Sequence, residues 1–182
     1  MLELSMHILD IVENSTRAGA TLVLIAIEED LGRDRIRIEI TDNGSGMDEA
    51  TCAKATDPFY TTKSVRRVGL GLPLFRQATQ MTNGSFSIVC GTSGGTTVSA
   101  EFQRRHIDRQ PLGDMASTLE TLIAGNPRVD LVYTHVKDGS SYVLDTREIR
   151  RELDDVPLNH PEVLRMIREN VRAGLREIEA DR

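Results

Sequence analysis

The feature that most constrains this chain is a carboxylate followed by two glycines at the end of a β-strand. Charged and isoleucine side chains alternate over residues 35–40, as a half-buried strand requires. Asp42, Gly44 and Gly46 follow. Because glycine accepts positive φ and allows close approach to the backbone, a flat ligand could lie on this turn while Asp42 accepts its hydrogen bonds. A plain tight turn capped by Asp42 is the alternative interpretation.

Composition excludes several functional classes. The formal net charge of -6 argues against a nucleic-acid surface, and the absence of tryptophan argues against a base-stacking platform. No apolar run is long enough to span a membrane, and the N-terminus does not have the pattern of a signal peptide. Cys52 and Cys90 lie far apart without a CxxC motif, which predicts unpaired thiols and a cytoplasmic location.

The N-terminal segment combines an apolar surface with one polar stripe. Residues 2–15 are predicted as a helix buried on several sides, because apolar residues cover most of its circumference. Glu3, His7, Asp10 and Asn14 are spaced so that their side chains lie on one helical face. Such a stripe either faces solvent or lines a site. Asp10 and Asn14, one turn apart, could both face the same small ion or water.

The middle of the chain has a second glycine pair. Residues 49–68 lack clear periodicity and hold hydroxyl and basic side chains, which suits a mobile cover over an anion but is also typical of a solvated loop. Residues 69–72 then open a helix, with Pro73 near its first turn. Free N–H groups at a helix start can bind phosphate. The spacing matches neither GxGxxG nor a Walker A loop.

The second half of the chain offers elements without recognisable chemistry. A pair of strands is predicted at residues 85–90 and 96–102, and charge, proline and glycine mark a boundary near residues 104–113. The remaining predicted elements are a helix at 114–124, strands at 129–136 and 141–145, a short helix from 147 and a longer helix at 161–180.

In chain order, these motifs resemble the GHKL superfamily of ATP-binding domains (gyrase, heat-shock chaperone, histidine kinase, MutL). Residues 13–20 and 42–47 are similar to MutL, whereas residues 57–63 and 69–72 look like the lid and second glycine box of sensor histidine kinases. The short cover favours the kinase-like branch. The resemblance implies an α+β fold, a two-layer α/β sandwich of the GHKL (Bergerat) type in which helices cover a mixed sheet. It places the ATP-binding domain at residues 1–105 and leaves 106–182 as a small α+β C-terminal extension of unknown role.

The same resemblance implies ATP and Mg²⁺ as ligands and assigns roles to individual residues. Asn14 would ligate the magnesium ion, and Arg17 would contact phosphate. Asp42 would accept the adenine amino group, with Gly44 and Gly46 under the ring. Thr96 would contact the adenine through water. The other ATP contacts that it implies are Met47, Phe59 as the lid anchor, Thr61, Thr62, Lys63, Gly69, Leu70, Gly71 and Leu72.

Two departures from the family pattern bear on the chemistry. Asp10 takes the position of a glutamate that the hydrolytic and serine-kinase branches use as a base, and its side chain is shorter by one methylene. It is the predicted catalytic residue, although the shorter reach could leave it outside hydrogen-bond distance. Residues 66–68, Arg-Arg-Val, replace a glycine normally found upstream of Gly69.

Three functions are compatible with the resemblance. The first is a Mg-dependent protein kinase, phosphotransfer or ATPase module acting in signalling or regulation. The others are a non-catalytic ATP sensor that binds a protein partner and a MutL-like hydrolytic clamp. The expected partners are ATP and a protein or phosphoacceptor, with a homodimer as an option, and neither nucleic acid nor a membrane. His106 reproduces the spacing of a kinase H box with Arg109 and Pro111, but a plain linker is the favoured interpretation.

Overall fold

One mixed six-stranded sheet forms the frame of the protein. The structure, a computed structural model, describes residues 2–57, 71–92, 94–153 and 156–181. The elements, in chain order, are α1 (Leu4–Arg17), β1 (Leu22–Asp30), β2 (Arg35–Asp42), α2 (Glu49–Lys54), α3 (Gly71–Gln80), β3 (Ser85–Cys90), β4 (Thr96–Gln103), α4 (Met115–Gly125), β5 (Asp130–Lys137), β6 (Ser140–Asp145), α5 (Thr146–Glu152) and α6 (Pro161–Glu177). The strand order is β3-β4-β2-β1-β5-β6. β1 and β5 run parallel, and the other neighbouring strands are antiparallel.

Helices cover one face of this sheet. Every second side chain of β1 and β2 is buried, including Ile25, Ile27 and Ile38, because strand residues point alternately to opposite faces. α1 contacts α3, α4 and the sheet, and α4 contacts α6. The predicted α+β fold with a mixed sheet and a helical layer is therefore confirmed. Among the described residues, no helix is both long and apolar enough to cross a membrane.

The sheet and its core continue through the second half of the chain. β5 lies beside β1 over eight paired positions, from Leu22 with Asp130 to Glu29 with Lys137. Tyr133 on β5 and Leu119 on α4 are fully buried in the same core as α1. Residues 106–182 thus complete the sheet that residues 22–103 begin.

A buried polar cluster joins the two halves at the end of β1. The Glu29 side chain is 1% exposed, and its Oε1 lies 2.7 Å from Nε2 of His135. The same oxygen accepts a 2.8 Å bond from the backbone N–H of Asp181. His135 Nδ1 in turn lies 2.7 Å from the hydroxyl of Tyr133, and burial holds the pKa of that hydroxyl well above its usual value. One oxygen of this buried carboxylate therefore bonds two groups that lie beyond the predicted boundary, which offsets part of the cost of its burial.

The predicted linker is a packed segment that caps α1. α1, whose residues are all described, has no side-chain cap at its N-terminus. The backbone carbonyls of Pro111 and Leu112 instead accept bonds of 2.9 and 2.8 Å from the N–H groups of Leu4 and Ser5. Those donors would otherwise lack partners, because the first N–H groups of a helix have none within it. His106 lies in the same segment, where its Nδ1 accepts a 3.2 Å bond from the Asp108 N–H.

Two predictions between residues 49 and 90 are wrong. The sequence predicts unpaired thiols, but Cys52 and Cys90 form a disulfide, with their Cα atoms 6.4 Å apart. β3 brings Cys90 beside α2, which separation along the chain does not reveal. The segment predicted as irregular also begins with a short helix, α2. Asp48 caps it by accepting a 2.8 Å bond from the Thr51 N–H, a local interaction that needs no apolar periodicity.

Candidate functional site

A cavity of about 620 Å³ lies where β2 ends and β4 begins, enclosed by α1, α2 and α3. Its volume lies within the range of small-molecule sites. The structure brings eight of the predicted site residues to its walls: Asn14, Arg17, Asp42, Gly46, Met47, Gly71, Leu72 and Thr96. Motifs spread over more than eighty positions of sequence therefore converge on one site.

Asp42 is held by two hydrogen bonds at the side of this cavity. Its Oδ1 accepts a 2.9 Å bond from the Gly44 N–H, and its Oδ2 accepts a 2.7 Å bond from the Ser15 hydroxyl. The Ser15 oxygen is also 3.2 Å from the Ile11 carbonyl, but the hydroxyl has one hydrogen, and the shorter contact is the stronger one. Each carboxylate oxygen keeps a lone pair for a ligand. Asp42 can therefore accept a bond from an amino group without moving.

Ser15 is a site residue that sequence reasoning missed. It is 4% exposed and also lines the cavity. The available signal was its spacing, because Ser15 lies four residues after the buried Ile11 and so shares its helical face. A hydroxyl on a buried face requires a partner, and the structure supplies the carboxylate of Asp42.

The two glycines after Asp42 permit close backbone packing. Gly46 has a φ of 68°, which favours glycine, and a Cβ there would lie 3.1 Å from the backbone of Gly95. A Cβ at Gly44 would lie 3.0 Å from the carbonyl oxygen of Ala18 at the end of α1. The Gly95 N–H also donates a 2.7 Å bond to the Gly44 carbonyl. The loop after Asp42 is thus fixed between α1 and the β3–β4 turn.

Asn14 and Arg17 are bonded to each other at the rim. Arg17 Nη2 donates a 2.7 Å bond to Asn14 Oδ1, and Arg17 Nε donates a 3.0 Å bond to the carbonyl of Glu13. The guanidinium therefore occupies one side of the oxygen that is predicted to ligate magnesium. An amide oxygen suits Mg²⁺, which usually keeps waters and substrate phosphates as its other ligands. Within the described ranges, no cluster of three or more His, Cys, Asp or Glu could hold a metal. Asn14 fits a magnesium that phosphate oxygens also hold.

Asp10 lies against the first turn of α3. Its Oδ2 is buried and has no hydrogen-bond partner within the described part of the chain. A Cβ added to Gly71 would overlap this oxygen and approach the Asp10 Cγ to 2.9 Å, so the carboxylate is packed against the Gly71 backbone. The positive end of the α3 dipole favours a negative charge there. Asp10 thus contacts a residue of the cavity wall, and its catalytic role stays a prediction.

His7 is predicted on the polar stripe of α1, but its side chain lies in the core. It is 1% exposed, its ring stacks on Phe75 with centroids 5.0 Å apart, and its Nε2 lies 3.0 Å from Oε1 of Gln110. Burial lowers the pKa of His7, so the imidazole is neutral at pH 7. The stripe therefore divides: His7 supports the packing of α1 on α3, whereas Asn14 reaches the cavity.

Part of the predicted site lies outside the described residues. This part comprises Phe59, Thr61, Thr62, Lys63, Gly69 and Leu70. Their contacts with ATP stay predictions.

A family model described as "Histidine kinase-, DNA gyrase B-, and HSP90-like ATPase" matches residues 2–106. The chain belongs to this family. The match covers the cavity with α1–α3 and β1–β4, and family membership implies that the ligand of this ATPase-like domain is ATP. The expected resemblance is confirmed.

Individual relatives of this ATPase family come from sensor kinases and a repair protein. The tetrathionate sensor histidine kinase TtrS of Salmonella typhimurium is 34% identical over 113 residues, which are 60% of this chain and 18% of that protein. The DNA mismatch repair protein MutL of Chlorobium phaeobacteroides is 39% identical over 54 residues, 30% of this chain and 8% of that protein. The chain thus spans a small part of the length of these relatives.

A solved structure extends the likeness to nearly the whole chain. The N-terminal domain of a DNA repair protein superposes with a TM-score of 0.56 and 16% identity. The match covers 97% of this chain and 59% of that chain, so it extends into residues 106–182. At this identity the likeness concerns the fold alone.

Proposed function

We propose that this chain is a Mg-dependent ATP-binding module of the histidine kinase-like type that transfers phosphate to a protein partner or hydrolyses ATP. The observation that carries the proposal is the Asp42 carboxylate, held by Ser15 and Gly44 beside a cavity of about 620 Å³. Sensor kinases among the relatives support a role in signalling. The predicted cytoplasmic location loses the support of free thiols, since Cys52 and Cys90 are bonded, and it stays a prediction.

Different residues of the site bind different parts of ATP. Asp42 accepts the adenine amino group, and Thr96, paired with Asp42 across β2 and β4, lines the same cavity. The N-terminus of α3 at Gly71 faces the phosphates, because free N–H groups and the helix dipole attract anions. Asn14 would hold Mg²⁺ together with the phosphates, and the ion would supply positive charge to balance the charge that develops during phosphoryl transfer. Asp10, packed against Gly71, is the proton acceptor for the attacking hydroxyl or water.

ATP with magnesium is expected to raise the melting temperature. A ligand at a hundredfold excess over its dissociation constant stabilises the folded state by about 2.7 kcal/mol. For a chain of this size, the rise is on the order of 5–10 °C. The measurement is a thermal melt of the full chain with and without millimolar Mg-ATP. The Asp42→Ala variant serves as control and should show a much smaller rise, whereas a parent melt unmoved by Mg-ATP contradicts the proposed function.

The magnesium dependence of ATP binding should separate Asn14 from Arg17. Asn14→Ala removes the metal ligand, so magnesium should no longer strengthen ATP binding. Arg17→Ala frees the Asn14 oxygen but removes a phosphate contact, so binding without metal weakens while the gain from magnesium increases by about tenfold, the equivalent of one charged hydrogen bond. Titrations of ATP with magnesium and with a chelator measure both effects. A full magnesium effect in Asn14→Ala would show that another group holds the metal.

A non-catalytic ATP sensor is the second candidate, favoured by one observation. The buried Asp10 Oδ2 lies against Gly71 without a hydrogen-bond partner within the described residues, which is a poor position for accepting a proton from a bound substrate. Incubation with radiolabelled ATP and a cell lysate distinguishes the two candidates. Labelled protein with the parent but not with Asp10→Asn supports the kinase. Persistent absence of label, with ATP still bound, supports the sensor.

A further inference from the structure

The disulfide between Cys52 and Cys90 joins two elements that enclose the cavity. Cys52 lies in α2, and Cys90 is the last residue of β3. Both cysteines are partly exposed, so a reductant in solution can reach the bridge. Neither cysteine is among the residues that line the cavity, yet Thr51 and Ile88, close to them in the chain, are.

The bridge attaches one wall of the cavity to the sheet. The wall on the α2 side is formed by Met47, Asp48, Thr51 and Ala55. The sheet side is formed by Ile88, Thr96 and Val98. A covalent bond from Cys52 to Cys90 therefore fixes the distance between the two sides. Because Thr51 of α2 lines the cavity, a shift of α2 would change the shape of the cavity.

Apolar packing does little to hold α2 against the rest of the protein. None of its six side chains, all of them described, is buried, so apolar burial contributes little to its position. Just beyond it, Thr56 accepts an exposed 2.9 Å bond from Arg76 Nη1 on α3. Hydrogen bonds open to solvent add little stability and open readily, whereas a disulfide persists.

We infer that the Cys52–Cys90 bridge is a redox-controlled latch on the nucleotide cavity. In the oxidised state the bridge holds α2 over the cavity and favours nucleotide binding. A dithiol reductant releases α2 and weakens binding. This inference rests on the proposed function, because the ligand whose affinity changes is ATP.

A dithiol supplies both electrons that reduction of the bridge requires. One thiolate of the reductant attacks a sulfur of the bridge, which forms a mixed disulfide and releases the other cysteine as a thiolate. The second thiolate of the reductant attacks the mixed disulfide, and the reductant leaves as its own disulfide. Two electrons pass from the dithiol to the bridge. Cys52 and Cys90 end as thiols after the protons lost by the reductant return to them.

By thermodynamic linkage, reduction of the bridge and ATP binding must affect each other equally. If reduction weakens ATP binding by some factor, saturating ATP must shift the equilibrium between bridge and dithiol by the same factor. A coupling between sites of this kind is typically between about 5-fold and 150-fold. A bridge that left ATP affinity unchanged would show neither effect.

The test compares ATP affinity of the full chain in its oxidised and reduced states. Reduction by dithiothreitol should weaken ATP binding at least about fivefold, while circular dichroism stays unchanged because α2 contributes no buried side chain. Cys52→Ser and Cys90→Ser should each bind like the reduced parent and ignore the reductant. Ala53→Ser, a change on α2 that leaves the bridge intact, should respond as the parent does. In a dithiothreitol redox buffer, ATP should shift the bridge equilibrium by the measured factor.

Three negative results have different meanings. Equal ATP affinity in the oxidised and reduced parent overturns the latch and leaves the proposed function intact. Absence of ATP binding in both states overturns the proposed function together with the latch. A weaker reduced state whose circular dichroism shows unfolding also overturns the latch, because loss of the fold, and not release of α2, then weakens ATP binding.

Discussion

ATP is expected to bind on the order of 10⁴-fold more tightly than GTP, as in sites built to pair with a specific donor group. The adenine amino group donates to Asp42, whereas guanine has an acceptor oxygen at that position. With guanine, two acceptors would face each other, and the carboxylate would lose its ligand bond. Because Ser15 and Gly44 already hold Asp42, the carboxylate cannot turn away to avoid this repulsion.

Variants at Asp42 and Ser15 test the origin of this selectivity. Asp42→Ala removes the charged acceptor, so ATP binding should weaken by roughly 1.5–3 kcal/mol and the gap to GTP should narrow. Ser15→Ala keeps the carboxylate but removes one of its two supports, so ATP should lose less affinity and the preference over GTP should remain. Calorimetric titrations of both nucleotides into the three folded proteins measure these effects. Equal affinities for ATP and GTP in the parent would mean that Asp42 only caps its turn.

Gly71→Ala should be the most damaging small substitution at the site. The new Cβ would overlap Asp10 Oδ2, which is buried, so the Asp10 side chain would have to turn away to admit the methyl group. Overpacking of this kind costs about 1–3 kcal/mol in the free energy of unfolding. Since Gly71 also lines the cavity, ATP affinity should fall together with stability.

A double-mutant cycle identifies Asp10 as the cause. Asp10→Ala removes the obstructing carboxylate. In the Gly71→Ala background it should therefore recover about 1–3 kcal/mol of the free energy of unfolding, which denaturant unfolding measures. Gly125→Ala is the matched control, because a Cβ at that helical position meets nothing within 4 Å. This control should be neutral or slightly stabilising. Additive effects of the Asp10 and Gly71 substitutions would show that the two residues do not compete for space.

The local patterns in the sequence explain most of what could be predicted. Charged and apolar residues alternate over residues 35–40. This alternation predicts β2 and its buried face, because successive side chains of a strand point to opposite faces of the sheet. The position of Asp42 beside glycine-rich turns predicts the cavity, because short motifs act through local backbone geometry. The helices and strands of residues 114–180 also lie close to their predicted ranges.

Apart from α2, which starts at the local cap of Asp48, the errors concern interactions between distant parts of the chain. The Ser15–Asp42 bond needs the end of β2 to lie beside α1, and the Cys52–Cys90 bridge needs β3 to lie beside α2. His7 falls on a polar stripe by spacing but is buried, because Phe75 and Gln110 arrive from elsewhere to pack and bond with it. Periodicity describes one element at a time and contains no information on which element is its neighbour.

The place of β5 in the sheet makes the ATP-binding half dependent on the rest of the chain. Without residues 106–182, the backbone groups of β1 from Leu22 to Glu29 would lose their parallel partner, and an apolar strand would become an open sheet edge. Such an edge pairs with other chains and promotes aggregation. The Glu29 carboxylate, which is buried in the full chain, would also lose its bond to His135. A shortened chain that ends after β4 is therefore a poor starting point for biochemistry, and a useful excision would have to retain β5 and β6.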